Sequence, residues 1–143
     1  NVLVASGVDP TKALDYMNVI GKTATAEQAA IIDISKTAFS VSDNLKVPIN
    51  DLSKSMDILA QSGKEGRFEL KDMASAFPSL TAGASMLGMK GVPAVASLGA
   101  ALQIAMKGAG DASEAANNLE NFIQKVTSPL AVKKISKILL AST

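Results

Sequence analysis

The sequence has no cysteine, no histidine and no tryptophan, and its aromatic content is 3%, from four phenylalanines and one tyrosine. Without cysteine there is no disulfide to staple the chain, and no oxidising compartment is implied. Without cysteine or histidine the usual zinc sites are excluded. The same two absences remove Ser-His and Cys-His nucleophile pairs. No serine stands three positions before a lysine, so the Ser-x-x-Lys arrangement is missing as well. Net charge is only +1, which predicts no strong attraction to nucleic acid or to acidic partners.

What is present is small and aliphatic. Hydrophobic residues make up 48% of the 143 positions. With so few aromatics, Ala, Leu, Ile, Val and Met must fill the core. Such a core suits closely packed helices, because small side chains let helix axes approach. The length is enough for one domain with a sizeable core. The chain starts at Asn1 and stops at Thr143 after an apolar run, so it is expected to be a piece of a longer protein.

Breaks are expected at 7–10, 21–25, 46–48, 63–66, 88–93, 108–111 and 128–129, with helix-length segments between them. Asp9 before Pro10 is a helix start: a capping side chain, then proline where its missing N–H costs nothing. Ala13, Leu14, Met17 and Ile20 form an apolar stripe after it. Thr25 with Gln28 fits a capping box for the next helix. That helix carries Ala29, Ile32, Lys36 and Phe39 at helical spacing, with Ile31, Ala38 and Val41 beside them. Pro48 opens a helix with Leu52, Met56, Ile58 and Leu59 on its apolar face. Ser62–Gly63 ends it, and 64–69 reads as a charged turn. Pro78 should kink or split a helix over 70–87. A helix from about Pro93 to Lys107 follows. Asp111 caps another, with Ala115, Leu119, Phe122 and Val126 on one face. Pro129 starts the last, in which Leu130, Ile135, Ile138 and Leu139 are apolar. No stretch alternates with period two, so no sheet is expected.

A weak internal repeat lays 8–21 over 47–60, so that Met17 falls on Met56, Val19 on Ile58 and Ile20 on Leu59. A looser third copy puts Leu98, Leu102 and Ile104 in place of Leu52, Met56 and Ile58. These overlays leave open a helical-hairpin repeat with a period of roughly forty residues. The fold expected is all-α: a compact multi-helix domain of about seven helices, with irregular helical-hairpin repeats as an open variant.

Candidate chemistry is thin. Gly83 and Gly88 have phosphate-loop spacing, but Met89 stands where lysine should follow. Gly108-Ala-Gly110 lacks the third glycine of a dinucleotide loop and has no preceding strand. Glu65 with Glu69, and Asp111 with Glu114, are carboxylate pairs read as lying at helix N-termini, where acidic residues offset the positive end of the dipole. Lys125, Lys133, Lys134 and Lys137 make the C-terminal stretch basic, either a solvated face or a phosphate contact. No catalytic, cofactor-binding or metal-binding residue is assigned, no cofactor is expected, and the chain is not expected to be an enzyme. Residues 91–106 are uncharged, bracketed by Lys90 and Lys107. At this length they fall short of the roughly twenty residues that cross a bilayer. They read as a central buried helix, apolar on nearly all sides, with insertion in a membrane as the alternative.

Four phrases carry a resemblance. They are Gly7-Val-Asp-Pro-Thr-Lys-Ala-Leu-Asp15; Asp51-Leu through Leu59-Ala-Gln-Ser-Gly63; Phe77-Pro through Ala84-x-x-x-Gly88-Met; and Leu98-Gly-Ala-Ala-Leu-Gln103 followed by Gly110-Asp-Ala-Ser-Glu-Ala-Ala-Asn-Asn-Leu119. Together they resemble the core region of phage tail tape measure proteins over residues 7–129. The resemblance implies a structural and assembly role. Such proteins set tail length and occupy the lumen of the tail tube. The implied partners are tail tube subunits, tail tip proteins and tail assembly chaperones, with self-association and membrane contact through 91–106 left open and no specific nucleic acid. The implied location is the virion tail, with the host bacterial cytoplasm during assembly. Membrane-active helical domains and helical adaptors are the competing classes. A bare ruler would be one long helix of about 215 Å at 1.5 Å per residue. The recurrent breaks, and the lack of an a/d heptad sustained over three or four repeats, instead predict chain reversals and a compact form.

Overall fold

The computed structural model describes residues 9–141, apart from the side chains of 129–132 and 135. Among the described residues there are eight helices and no strand. They are α1 (Pro10–Glu27), α2 (Ile31–Asn44), α3 (Ile49–Gly66), α4 (Leu70–Met73), α5 (Phe77–Met86), α6 (Gly91–Lys107), α7 (Ala112–Thr127) and α8 (Pro129–Ala141). The excess over seven arises where Pro78 sits in the first turn of α5 and splits the expected 70–87 helix into α4 and α5. A proline is tolerated there because the N–H it lacks has no intrahelical partner.

The most extensive packing is α3 against α6, followed by α2 against α5. Helix α1 lies over the α2–α3 pair on one side, and α7 bridges α5 and α6 on the other. Helix α8 follows α7 directly, and its described side chains are all exposed. The core between them contains Ile34, Leu45, Leu52, Met56, Leu59, Met73, Leu80 and Leu102, with Phe68 and Phe77 as its large aromatic members. Burying each such aliphatic side chain is worth about 1.5–3 kcal/mol.

Small residues let α3 and α6 approach. A Cβ on Gly99 would stand 3.3 Å from both Leu59 Cδ2 and Ser62 Oγ. A Cβ on Gly66 would run into the Gln103 side chain. That side chain clasps the turn between α3 and α4: its Oε1 accepts from the Phe68 N–H at 3.1 Å, and its Nε2 donates to the Phe68 carbonyl at 3.2 Å. The end of α2 is tied down similarly. The Leu45 carbonyl accepts from the Gly91 N–H at 2.7 Å, and Asn44 donates to Thr81 Oγ1 at 2.8 Å.

Two expected breaks move. Helix α1 runs straight through 21–25 and stops at Gln28, which is left-handed at φ 51°. Thr25 lies inside α1, so the Thr25–Gln28 capping box does not form; Ala30 is the N-cap of α2 and has no side-chain bond. The burial of Ile20, Thr23 and Ala24 outweighs the helix-breaking tendency of Gly21. Helix α3 likewise continues past Gly63 to Gly66 and ends on left-handed Arg67. Gly63 is needed within the helix because a Cβ there would meet the Phe68 carbonyl oxygen at 2.7 Å.

Several apolar faces also turn. In α1, Ala13 and Ile20 are buried, but Leu14 is 68% exposed and Met17 51% exposed. In α2 the buried side is Ile34, Ala38 and Val41, while Ile31 and Ile32 face out. Phe122 of α7 is 62% exposed, and Ile123 takes the inward position. Helix α6 is not buried all round: Ala94, Val95, Leu98, Gly99 and Leu102 face the core, whereas Pro93, Ala96, Ala100 and Ile104 are exposed. Of the α8 stripe, Ile138 and Leu139 are exposed, and Leu130 and Ile135 lie outside the described side chains. The repeat overlay holds at Ile20 and Leu59, both buried, but not at Met17 and Met56, since Met56 is fully buried.

No single helix sustains a heptad over three or four repeats, but a four-three spacing recurs across the reversal between α1 and α2. Ala13, Met17, Ile20, Ala24, Glu27, Ile31, Ile34, Ala38, Val41 and Leu45 follow one another at alternating steps of four and three, across the reversal between α1 and α2. All except Met17, Glu27 and Ile31 are buried. The stripe is faint in the sequence because alanine fills three of its positions and a glutamate a fourth.

Candidate functional site

Three of the four carboxylates singled out in the sequence sit at helix starts. Asp111 accepts from the Glu114 N–H at 2.8 Å and caps α7. Glu114 reaches back to accept from the Gly110 N–H at 2.7 Å, so the two carboxylates satisfy donors on both sides of the helix start. Glu65 is not at a helix N-terminus as expected. It lies in the last turn of α3 and accepts from Gln61 Nε2 at 2.9 Å. Glu69 is the N-cap of α4; its N–H donates to Asp72 at 3.3 Å, and its carboxylate pairs with Lys71 at 3.4 Å.

The glycine candidates are structural too. Gly83 is in the interior of α5, where a Cβ would stand 2.6 Å from Ile123 Cγ2. It permits α7 to pack on α5. Gly88 ends α5 in a left-handed conformation at φ 81°, and the Met89 N–H returns to the Ala84 carbonyl at 3.1 Å. Gly108 and Gly110 lie in the turn between α6 and α7. Lys125, Lys133, Lys134 and Lys137 are all exposed.

Two grooves stand out. One, of about 560 Å³, runs between α4 and the start of α7 and is polar, with Lys71, Asp72, Asp111, Ser113, Asn117 and Glu120 on its walls. Nothing in the spacing of these residues announced it, because α4 and α7 meet only through the fold. The other, of about 270 Å³, lies between α5 and α7 and is lined by Ala82, Gly83, Met86, Ile123 and Thr127, with Met86 75% exposed at its edge. Among the described residues no group of three or more acidic side chains is placed to hold a metal ion. Also among them, no single helix is long and apolar enough to cross a membrane; α6 and α7 reach the length and composition only together, across a bend of 118°.

One acidic group has a shifted titration. The Thr11 N–H, then the Thr11 hydroxyl, donate to Asp9 and hold its carboxyl below the usual aspartate value. This is the signature of an N-cap: the hydrogen bonds favour the ionised form.

The geometry is thus that of a packed helical body whose polar groups cap helices and whose grooves are shallow and unspecialised. No solved structure matches the chain. The chain is 35% identical over 136 residues to the probable tape measure protein of Burkholderia phage BcepMu, a match that covers 94% of this chain and 16% of that protein. The family described as phage-related minor tail protein matches residues 1–140. Identity spread over nearly the whole helical body, rather than confined to one motif, leads to the conclusion that the chain belongs to the phage-related minor tail protein family.

Proposed function

We propose that this segment is a non-catalytic structural part of a tape measure protein, one helical unit of a longer chain that sets tail length and occupies the lumen of the tail tube. The observation that carries the reading is the 35% identity over 136 residues to a protein named as a probable tape measure protein. The chain spans only 16% of that protein, so the ruler activity belongs to the longer protein and this segment contributes a share of it. The capping roles of the carboxylates and the small-residue helix contacts support a structural part. In this reading the partners are tail tube subunits, tail tip proteins and assembly chaperones. The place of action is the virion tail, reached after assembly in the host cytoplasm.

The test is an in-frame deletion of this segment from the full-length protein, with tail length measured on virions by electron microscopy. Shorter tails are expected, by as much as about 215 Å if every residue is helical and extended in the tube. Tails of unchanged length would overturn the reading.

A further inference from the structure

We infer that α1 and α2 are a hairpin built to straighten, at Gln28, into one continuous heptad-patterned helix. For its purpose, conversion of a compact segment into an extended one, this rests on the tape-measure reading above; the physical argument stands on the chain alone.

The first observation is the reversal itself. Residues 26–30 read Ala-Glu-Gln-Ala-Ala, with no glycine, proline, asparagine or aspartate. These are among the strongest helix formers. Yet Gln28 is held at φ 51°, a conformation that a Cβ disfavours and that glycine normally supplies at a helix end. The closing bonds run from the Gln28 N–H to the Thr25 carbonyl at 3.4 Å and from the Ala29 N–H to the Ala24 carbonyl at 3.1 Å. At the end of α5 the same pattern is made by Gly88. Local preference and observed conformation therefore conflict at Gln28, and tertiary contacts decide the outcome.

The second observation is register. The four-three stripe from Ala13 to Leu45 keeps its phase through the reversal. Two members exposed in the hairpin, Met17 at 51% and Ile31 at 65%, fall on this stripe once the helix is continuous. Leu14 and Ile32, exposed as well, lie beside the stripe rather than on it. A stripe with this period is the seam of a coiled coil.

The third is selectivity among the turns. Lys46 and Arg67 are also left-handed without being glycine. Lys46 is followed by Pro48, which cannot continue a helix. Arg67 follows Gly66, and the Phe68 backbone beside it is clasped by Gln103. Gln28 has neither obstacle. What holds α1 back is one buried side (Ala13, Ile20, Thr23 and Ala24, with Tyr16 and Val19 half-buried beside them), the Tyr16–Ser42 hydroxyl bond, and the Glu27–Lys64 ion pair at 3.2 Å.

The test uses the absence of native cysteine. Lys12→Cys and Asp43→Cys, both at exposed positions, carry spin labels at the end of the hairpin marked by the Tyr16–Ser42 bond. Their separation is followed by pulsed electron resonance, with helicity by circular dichroism, in rising denaturant and with Ile20→Ala to loosen α1. The expected result is passage from a short distance to a population at about 47 Å, the span of a straight helix between the labels, with helicity kept. Gln28→Gly should suppress that population and raise the melting temperature by about 3 °C, since glycine suits the reversal and not the helix. A broad distance distribution with helicity lost, a short distance kept until the whole chain unfolds, or a long population unaffected by Gln28→Gly would each overturn the inference. None of these readouts involves a tail. Failure here leaves the deletion experiment standing, and unchanged tail length would leave the hinge standing.

Discussion

Gly21 and Gly63 both sit inside helices and do opposite things. A Cβ on Gly63 would meet backbone atoms of Phe68 and Glu69 at 2.7 and 3.0 Å, and backbone cannot rotate away. Gly63→Ala should therefore destabilise the fold by about 1–3 kcal/mol. Nothing lies within 4 Å of a Cβ on Gly21, so Gly21→Ala should stabilise it by about 0.5–1 kcal/mol through helix propensity alone. Urea midpoints of the two variants check both signs together. Ser55 gives a second prediction. Its side chain is fully buried and its hydroxyl has no hydrogen-bond partner among the described residues, whereas Ser35, Thr37, Ser40 and Thr81 each donate to a carbonyl one turn back. Ser55→Ala should raise stability by about 1 kcal/mol, read as a higher midpoint; a lower one would show that the hydroxyl is bonded. The sequence marked both glycines only as breaks and did not mark Ser55: a glycine's role depends on which neighbour closes on it, and a serine's on whether a carbonyl is free.

Helix starts were more legible than helix stops. Asp9–Pro10, Asp111 and Pro129 begin helices as read, because a capping side chain or a proline acts on its own few residues. The stop at Gln28 was invisible, since no residue there disfavours a helix. The stop after α3 fell a turn beyond Gly63, where α6 presents Gln103 to the turn. The cap of α1 predicts a pH response. The Asp9 pKa is depressed in the folded chain, so its contribution is present above the unfolded aspartate range and is lost as pH falls through the lower folded value. Amide exchange at Thr11 and Lys12 should accelerate over that acid window, and Asp9→Asn should flatten the response. Exchange there independent of pH, beyond the intrinsic rate, would show that the cap contributes nothing.

For the whole molecule, small-angle scattering on the isolated chain should give a radius of gyration near 14–15 Å, as expected of a compact body of about this length. A much larger value with high helicity would mean that the extended form dominates in solution. The two forms are close relatives in sequence terms. A second four-three run from Met56 through Leu70, Phe77 and Ala84 to Leu98 also keeps phase across its turns, with glycine at 63, 66 and 91 and the exposed Leu87 among its positions. The sequence by itself determined the helices, most of their starts, the absence of sheet and the aliphatic core, because periodicity and capping act within a turn or two of chain. Only the tertiary structure decided where α1 and α3 stop, and which sides of α1, α2, α6 and α7 face inward. With small apolar residues on several sides of each helix, no one face dominates locally. The choice falls to whichever neighbouring helix approaches closely enough to exclude water, as α6 does at Gly66 and Gly99, and α7 at Gly83.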